Sequence, residues 1–482
     1  MPFINPTQRA RRTFLQRAGA LSLSGTALPF ALNLAAIGEA SAFNSTDYKA
    51  LVCVFLYGGN DYANTVVTYD DPSYNLYAKI RGGGAGQTAG GIALAKADLA
   101  ATRLNPAIAL PNGRQYALHP AMTGLAGLFN SGKAAVQLNV GPLIAPITKS
   151  QYLGADRRNY PLPPKLFSHN DQQSIWQSSS PEGSTIGWGG NLGDLALSSN
   201  ANSLFTCISA TGNAVFLSGD TALQYQVSAS GAVPIKGLAS GSSAANAALR
   251  TLISRSHPDM FQNEYNRVTA RSIAAESSIT AALSGVTLST AFPSGNALAD
   301  QLKIVARLIA ARNGLGARRQ VFFVSLGGFD LHDNLISNHP TLLGKVSAAM
   351  TAFYNATVEL GIAEKVTSFT ASEFGRTLQS NGDGADHGWG SHHLMVGGAV
   401  KGKAFYGIAP PVSVGSSTAP EDQWHVGQGR LLPSTSVDQY AATLARWFGV
   451  ADTEMSGILP NLKRFGAVAG WPDYPANLGF MV

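Results

Sequence analysis

Apolar positions fall in short blocks separated by polar, glycine-rich turns. Ala50 to Tyr57 (ALVCVFLY), Ala134 to Val140 (AAVQLNV), Val321 to Leu326 (VFFVSL) and the β-branched Val366 to Thr370 are the clearest blocks. Runs of this length with little alternation predict strands buried on both faces, as in a parallel sheet covered by helices. Between them the pattern changes to helical spacing. Met122, Leu125 and Leu128 mark a helix over 121–129, and Leu298, Leu302, Val305 and Ile309 mark one over 297–311, closed by Asn313-Gly314. Further helices are expected at 172–177, 341–360 and 439–448, and further short strands at 204–208, 214–217, 394–396 and 405–407. The segment 70–112, with Gly82-Gly83-Gly84, predicts an irregular excursion. Residues 178–245, rich in Ser, Gly and Ala, predict an insertion forming a lid or cap. Strand, helix, strand is the rhythm of an α/β protein.

The first residues follow a different rule. Arg9, Arg11, Arg12 and Arg17 precede an apolar stretch from Ala18 to Ile37, which ends in Ala40-Ser41-Ala42. This is the build of an export signal with a small-residue cleavage site. Arg11-Arg12-Thr13-Phe14-Leu15-Gln16 resembles a twin-arginine signature, implying the twin-arginine translocase as a partner and a periplasmic or secreted product. Gly19, Ser22, Ser24, Gly25, Thr26 and Pro29 dilute the stretch too much for a good membrane span. Of 482 residues with net charge +6, removing 1–42 takes away four Arg and one Glu and leaves +3. A charge that small, without a Lys/Arg-rich run, gives no footprint for nucleic acid. Cys53 and Cys207 form no CxxC pair; either a single disulfide or two core thiols would fit.

Candidate chemistry gathers just past the predicted strands. The first ends in Gly58-Gly59-Asn60-Asp61, the third in Gly327-Gly328-Phe329-Asp330-Leu331-His332, and the fourth in a loop holding Glu373, Arg376, Asp386, His387, His392 and His393. In open parallel sheets, loops at the carboxyl ends converge on one crevice. Carboxylates and imidazoles gathered there suit Zn, Mn, Mg or Ca. Asp61 equally suits an Asx turn or helix cap. Asp330 and His332, two residues apart, face one side of an extended segment, whereas His392 and His393 face opposite sides. Ser168, His169 and Asp171 combine a hydroxyl, an imidazole and a carboxylate that could hold a nucleophile or orient an oxyanion, or simply cap a helix. Arg376 could clamp an oxyanion or pair with Glu373. His119 reads as a capping residue, and His257, His339 and His425 as residues without function.

Together these segments are specific. LVCVFLYGGND, LHPAM, FSHND, LGGFDLH, SEFGRT and ADHGWGSHH resemble the bacterial exported family called domain of unknown function 1501, related to the alkaline phosphatase and sulfatase superfamily. The resemblance implies a three-layer αβα sandwich with a mostly parallel central sheet in one domain over 43–482. It implies one or two divalent metal ions held by Asp61, Asp330, His332, Glu373, Asp386 and His387, and Ser168 as nucleophile. Two departures stand out: Glu373-Phe374 replaces the Asp-His pair of the phosphatases, and no sulfatase-type Cys/Ser-x-Pro-x-Arg motif occurs. The expectation is an exported metal-dependent hydrolase of phosphate or sulfate esters, acting on a small-molecule or glycan ester. The rival is a secreted metal- or glycan-binding protein on the same scaffold without catalysis. A redox protein is disfavoured, since the chain has no GxGxxG after a strand and no haem or iron–sulfur cysteine set.

Overall fold

The computed structural model describes residues 47–82, 91–235 and 244–482, so the predicted export signal lies outside the described residues, as do Gly83 and Gly84. Strands β1 (Lys49–Leu56), β2 (Val66–Thr68), β3 (Tyr116–Leu118), β4 (Ala134–Gly141), β5 (Cys207–Ser209), β6 (Gln224–Ser228) and β7 (Gly231–Ala232) come first. They are followed by β8 (Arg319–Leu326), β9 (Val366–Ser372), β10 (Arg376–Ser380), β11 (Ala385–His387), β12 (Ser391–Gly397), β13 (Phe405–Tyr406) and β14 (Thr435–Ser436). The main sheet has the order β13-β4-β12-β9-β1-β8-β5-β6-β7, with β14 also on β4. β1 runs parallel to both neighbours, and Leu56 is level with Leu326 of β8 and Ser372 of β9. Three strands therefore end side by side.

Sheet and helices form a mostly parallel α/β fold. In β1, Ala50, Val52, Val54 and Leu56 enter one core with the helices Thr123–Asn130, Ala297–Ala310 and Leu335–Glu359. Leu51, Cys53 and Phe55 enter the other, with the helices Trp188–Ala196 and Val437–Phe448. The alternation of the pleat thus feeds two apolar layers, and each buried Val, Leu or Phe contributes about 1.5–3 kcal/mol. Both cysteines are free and buried as core thiols.

The structure corrects several expectations. The supposed irregular excursion contains an eleven-residue helix, Asp71–Arg81, capped by Asp70, whose side chain accepts from Ser73 N, with Pro in its first turn. Its buried face is made of Ser73, Tyr77, Ala78 and Arg81, so it lacks an apolar stripe to read. Of the expected insertion over 178–245, residues 236–243 lie outside the described residues; in the rest, β5 pairs with β8, and β6 and β7 extend that edge. The segment 214–217 is a short 3-10 turn, not a strand. The helix expected from Thr341 begins at Leu335 and carries Pro340 inside it.

Asp438, at the start of the helix Val437–Phe448, is fully buried; its carboxylate accepts from Asn461 N at 3.1 Å and Ser179 Oγ at 3.4 Å. Burial outweighs these bonds and pushes its pKa up to about 6. A carboxyl that holds its proton more tightly when folded costs nothing below its unfolded pKa and progressively more as pH rises towards 6. Asp438→Asn is therefore expected to match wild type near pH 4 and to exceed it by about 3 kcal/mol above pH 6.5. Urea unfolding of both proteins from pH 4 to 8 checks this; parallel pH curves would contradict it.

Candidate metal centre

The ends of β1, β8 and β9 are packed so closely that side chains are excluded from the turn between them. Gly58 has φ +114°, and a Cβ there would lie 2.3 Å from Asp330 N; one on Gly59, at φ +80°, would lie 2.2 Å from the Phe374 ring. Only glycine fits such a contact at positive φ. Glu373 fills the turn from behind. Its two oxygens accept from Gly58 N at 2.9 and 2.8 Å, and Oε2 also accepts from Gly59 N at 2.9 Å.

Arg376 is fully buried and uses its whole guanidinium on these loops. Nε donates to Gly59 O at 2.8 Å, Nη1 to Ala385 O at 2.9 Å, and Nη2 to Gly58 O, to Phe329 O at 3.2 Å and to the Asp330 carboxylate. Nη1 is also 3.4 Å from His332 Nε2. The expected oxyanion clamp has no donor left for a ligand, and its carboxylate partner is Asp330 instead of Glu373.

In front of Arg376, His169, Asp330 and His387 each present one ligand atom, all within 4.8 Å of one another. His387 Nδ1–H donates to Phe167 O at 2.7 Å, which fixes the tautomer and leaves Nε2 as a lone-pair donor. That Nε2 lies 3.3 Å from Asp330 Oδ1 and 2.9 Å from His332 Nε2, while His332 Nε2 lies 3.2 Å from the same Oδ1. His169 Nε2 approaches Asp330 Oδ2 at 3.4 Å. Nitrogen and oxygen ligands at about 2.0–2.1 Å from one ion stand roughly 2.9–3.4 Å apart, so these residues fit a divalent metal. Asp330 and His387 are common to both neighbouring sets, one completed by His169 and the other by His332.

Charge is graded across the cluster. Burial would raise the Asp330 pKa, but the Arg376 guanidinium outweighs it and holds the carboxyl below its usual range. His169 is raised: Glu373, 3.7 Å from Nδ1, and Asp330 together overcome the opposing effect of burial. His387 is lowered by burial and by Arg376, which keeps its Nε2 free of a proton.

Other expected residues stand behind this cluster or apart from it. Asp386 lies 3.4 Å from His332 Nδ1 and accepts from Asn381 Nδ2 at 3.0 Å, so it orients His332 from outside. Asp61 caps the short helix Tyr62–Thr65 and pairs with buried Arg81, which occupies both its oxygens. Ser168 sits at the N-terminus of the helix His169–Ser178, with Oγ 3.1 Å from Asp171 Oδ2, between two residues that touch the cluster. His392 and His393 are both buried in β12: Asn139 N donates to His392 Nδ1, and His393 packs on Trp176. Neither joins the cluster. His119 accepts from Ala121 N at 3.0 Å as a cap, while His339 meets Asn60 Oδ1 at 2.9 Å.

Three residues carry more of the site than their sequence context signals. Phe374, where an imidazole was missing, packs on the rings of His387 and His169, and His169 brings the imidazole from another segment. Phe167 adopts φ +72°, unusual for a non-glycine, and supplies the carbonyl that sets His387. Arg430 Nε donates to His387 O at 2.7 Å, with its guanidinium 5.3 Å over the Phe167 ring. Its one sequence cue is the Gly427-Gln428-Gly429 turn before it.

The mostly parallel sheet, with a His/Asp constellation at its carboxyl edge, makes this an α/β protein with a candidate metal site there. Residues 48–459 match the family described as "Protein of unknown function (DUF1501)", and the chain belongs to that family. No curated protein matches it. Among solved structures it is similar to Ps i-CgsB in complex with k-i-k-neocarrahexaose, at 9% identity and TM-score 0.34, over 89% of this chain and 78% of that one. It is also similar to the PsFucS1 sulfatase from Pseudoalteromonas sp., at 10% identity and TM-score 0.34, over 87% and 70% of the two chains. Values this low carry no activity across.

Arg376→Ala would leave four loop carbonyls and Asp330 without their common donor. It is expected to destabilise the protein by at least ~3 kcal/mol, with Arg376→Lys recovering only part because one ammonium cannot reach every acceptor. Chemical unfolding of the two variants measures this; a loss below 1 kcal/mol would show that the loops hold without Arg376.

Proposed function

We propose that this protein is an exported metal-dependent hydrolase of phosphate or sulfate esters. The observation that carries the reading is the His169, Asp330 and His387 cluster, with the His387 tautomer locked by Phe167 O so that Nε2 faces its neighbours. A divalent ion held there by Asp330, His387 and His169 or His332 would neutralise the ester's anionic oxygens and favour attack at phosphorus or sulfur.

The chain's own groups supply the remaining parts. Ser168 Oγ attacks, and its proton passes to Asp171 Oδ2. As the Oγ–P or Oγ–S bond forms, the bond to the ester oxygen breaks. With the ion held by Asp330, His387 and His332, His169 would be free to protonate the departing alkoxide. Water then hydrolyses the seryl ester, releasing the inorganic anion and returning the hydroxyl. Glu373 holds His169 from behind. The second reading, a binding protein without catalysis, is favoured by Phe374 standing where the phosphatases have an imidazole.

Plasma mass spectrometry on purified protein is expected to find a stoichiometric divalent metal that falls at least tenfold in His387→Ala. Ser168→Ala should keep the metal and lose turnover of aryl phosphates or sulfates by 10² or more. Metal-free wild type without turnover would overturn the proposal, and bound metal without turnover would favour the binding protein. Export is tested separately: Arg11→Lys with Arg12→Lys should leave unprocessed protein in the cytoplasm, while wild type is recovered outside it with its N-terminus cut after Ala42.

A further inference from the structure

The fully buried arginines among the described residues, and half-buried Arg114, are matched to acids. Arg81 meets Asp61, Arg114 meets Asp70, Arg319 meets Asp47 and Arg376 meets Asp330. Half-buried Arg307, Arg312 and Arg430 have no such acid, and of these three Arg430 is the one bonded to a cluster residue. It is half-buried, yet no carboxylate among the described residues lies within 4.0 Å of it. Its Nε is spent on His387 O at 2.7 Å, and neither Nη makes a hydrogen bond to the described residues. Burial draws its pKa down, and Asp386 and Tyr152 oppose this only through longer-range attraction. Partial withdrawal of a guanidinium from water without a counter-ion is unfavourable, so Arg430 favours an anion as the other half of an ion pair.

Its placement says what the other half is. Nε is bonded to the backbone of a cluster residue, and the guanidinium carbon lies 5.3 Å from the centre of the ring of Phe167, whose carbonyl holds that residue's imidazole. This ring contact and the anchoring bond leave the two Nη groups as a rigid fork of donors beside the cluster. Such a fork matches two oxygens of a tetrahedral anion. The guanidinium first expected to do this, Arg376, has every nitrogen committed to loop carbonyls and Asp330.

We infer that Arg430, held by His387 O and Phe167, is the residue that binds the nonbridging oxygens of the substrate's phosphate or sulfate group. This rests on the proposed hydrolase for its consequence in turnover, but the anion site is defined by binding alone. Isothermal titration of the metal-loaded protein with inorganic phosphate, and in a second arm with sulfate, is compared for wild type, Arg430→Ala and Arg430→Lys. Arg430→Ala is expected to weaken the preferred anion at least tenfold with its metal content unchanged, Arg430→Lys to recover part of the loss, and added guanidinium to restore binding to Arg430→Ala. In turnover, KM should rise more than kcat falls. Equal affinity in wild type and Arg430→Ala, loss of metal from Arg430→Ala, or no binding of either anion by wild type would each overturn the inference. Arg430-dependent anion binding without turnover would instead remove the hydrolase and leave the anion site standing.

Discussion

The saturation of one guanidinium governs the site. Arg376 reaches the loop after β1 through Gly58 O and Gly59 O, the loop after β8 through Phe329 O and Asp330, and the β10–β11 hairpin through Ala385 O. The acceptors sit on three different excursions from the sheet, where a buried carbonyl left unpaired is costly. Five donors in one plane satisfy them together, which a lysine cannot do. Glu373 completes the clasp from the other side by accepting from Gly58 N and Gly59 N. The turn after β1 is thus gripped by its carbonyls and its amides at once, and the close packing at Gly58 follows.

This grip has an electrostatic effect on the face in front of it. Asp330 stays ionised because Arg376 stands behind it, and His387 is kept from protonation by burial and by the same cation. His169, farther forward and next to Glu373 and Asp330, is pulled the opposite way. Imidazoles on one carboxylate therefore differ in proton affinity because of where the fixed charges lie. Such a separation lets one ring serve as a ligand and another as an acid.

Much of this was legible from strand ends. The apolar blocks located β1, β4, β8 and β9, and the polar residues after them located Asp330, His332 and His387, because a parallel sheet delivers its strand ends to one edge. The rest depended on partners distant in sequence. Asp61 has the right place and composition for a ligand, yet Arg81 takes its carboxylate from a helix whose buried Ser73, Tyr77, Ala78 and Arg81 lack an apolar rhythm. Arg376 followed Glu373 closely enough to suggest a pair between them, whereas its partners are carbonyls on other loops. Phe167 and Arg430 meet only in the fold, and neither type of residue in a turn announces a site. Ser/Gly/Ala-rich composition made 178–245 read as a lid or cap, although β5 needs only Cys207, Ile208 and Ser209 to continue the sheet from β8.

The position of β4 has a consequence for how the chain acquires its shape. Its partners are β12 on one side and β13 and β14 on the other, contributed by residues 391–397, 405–406 and 435–436. Synthesis delivers β4 long before any of them, so both of its edges remain unpaired until most of the polypeptide exists. Closing the sheet joins segments hundreds of residues apart, and pairings of such long range are slow to form. A late-closing sheet with exposed strand edges invites aggregation while it waits.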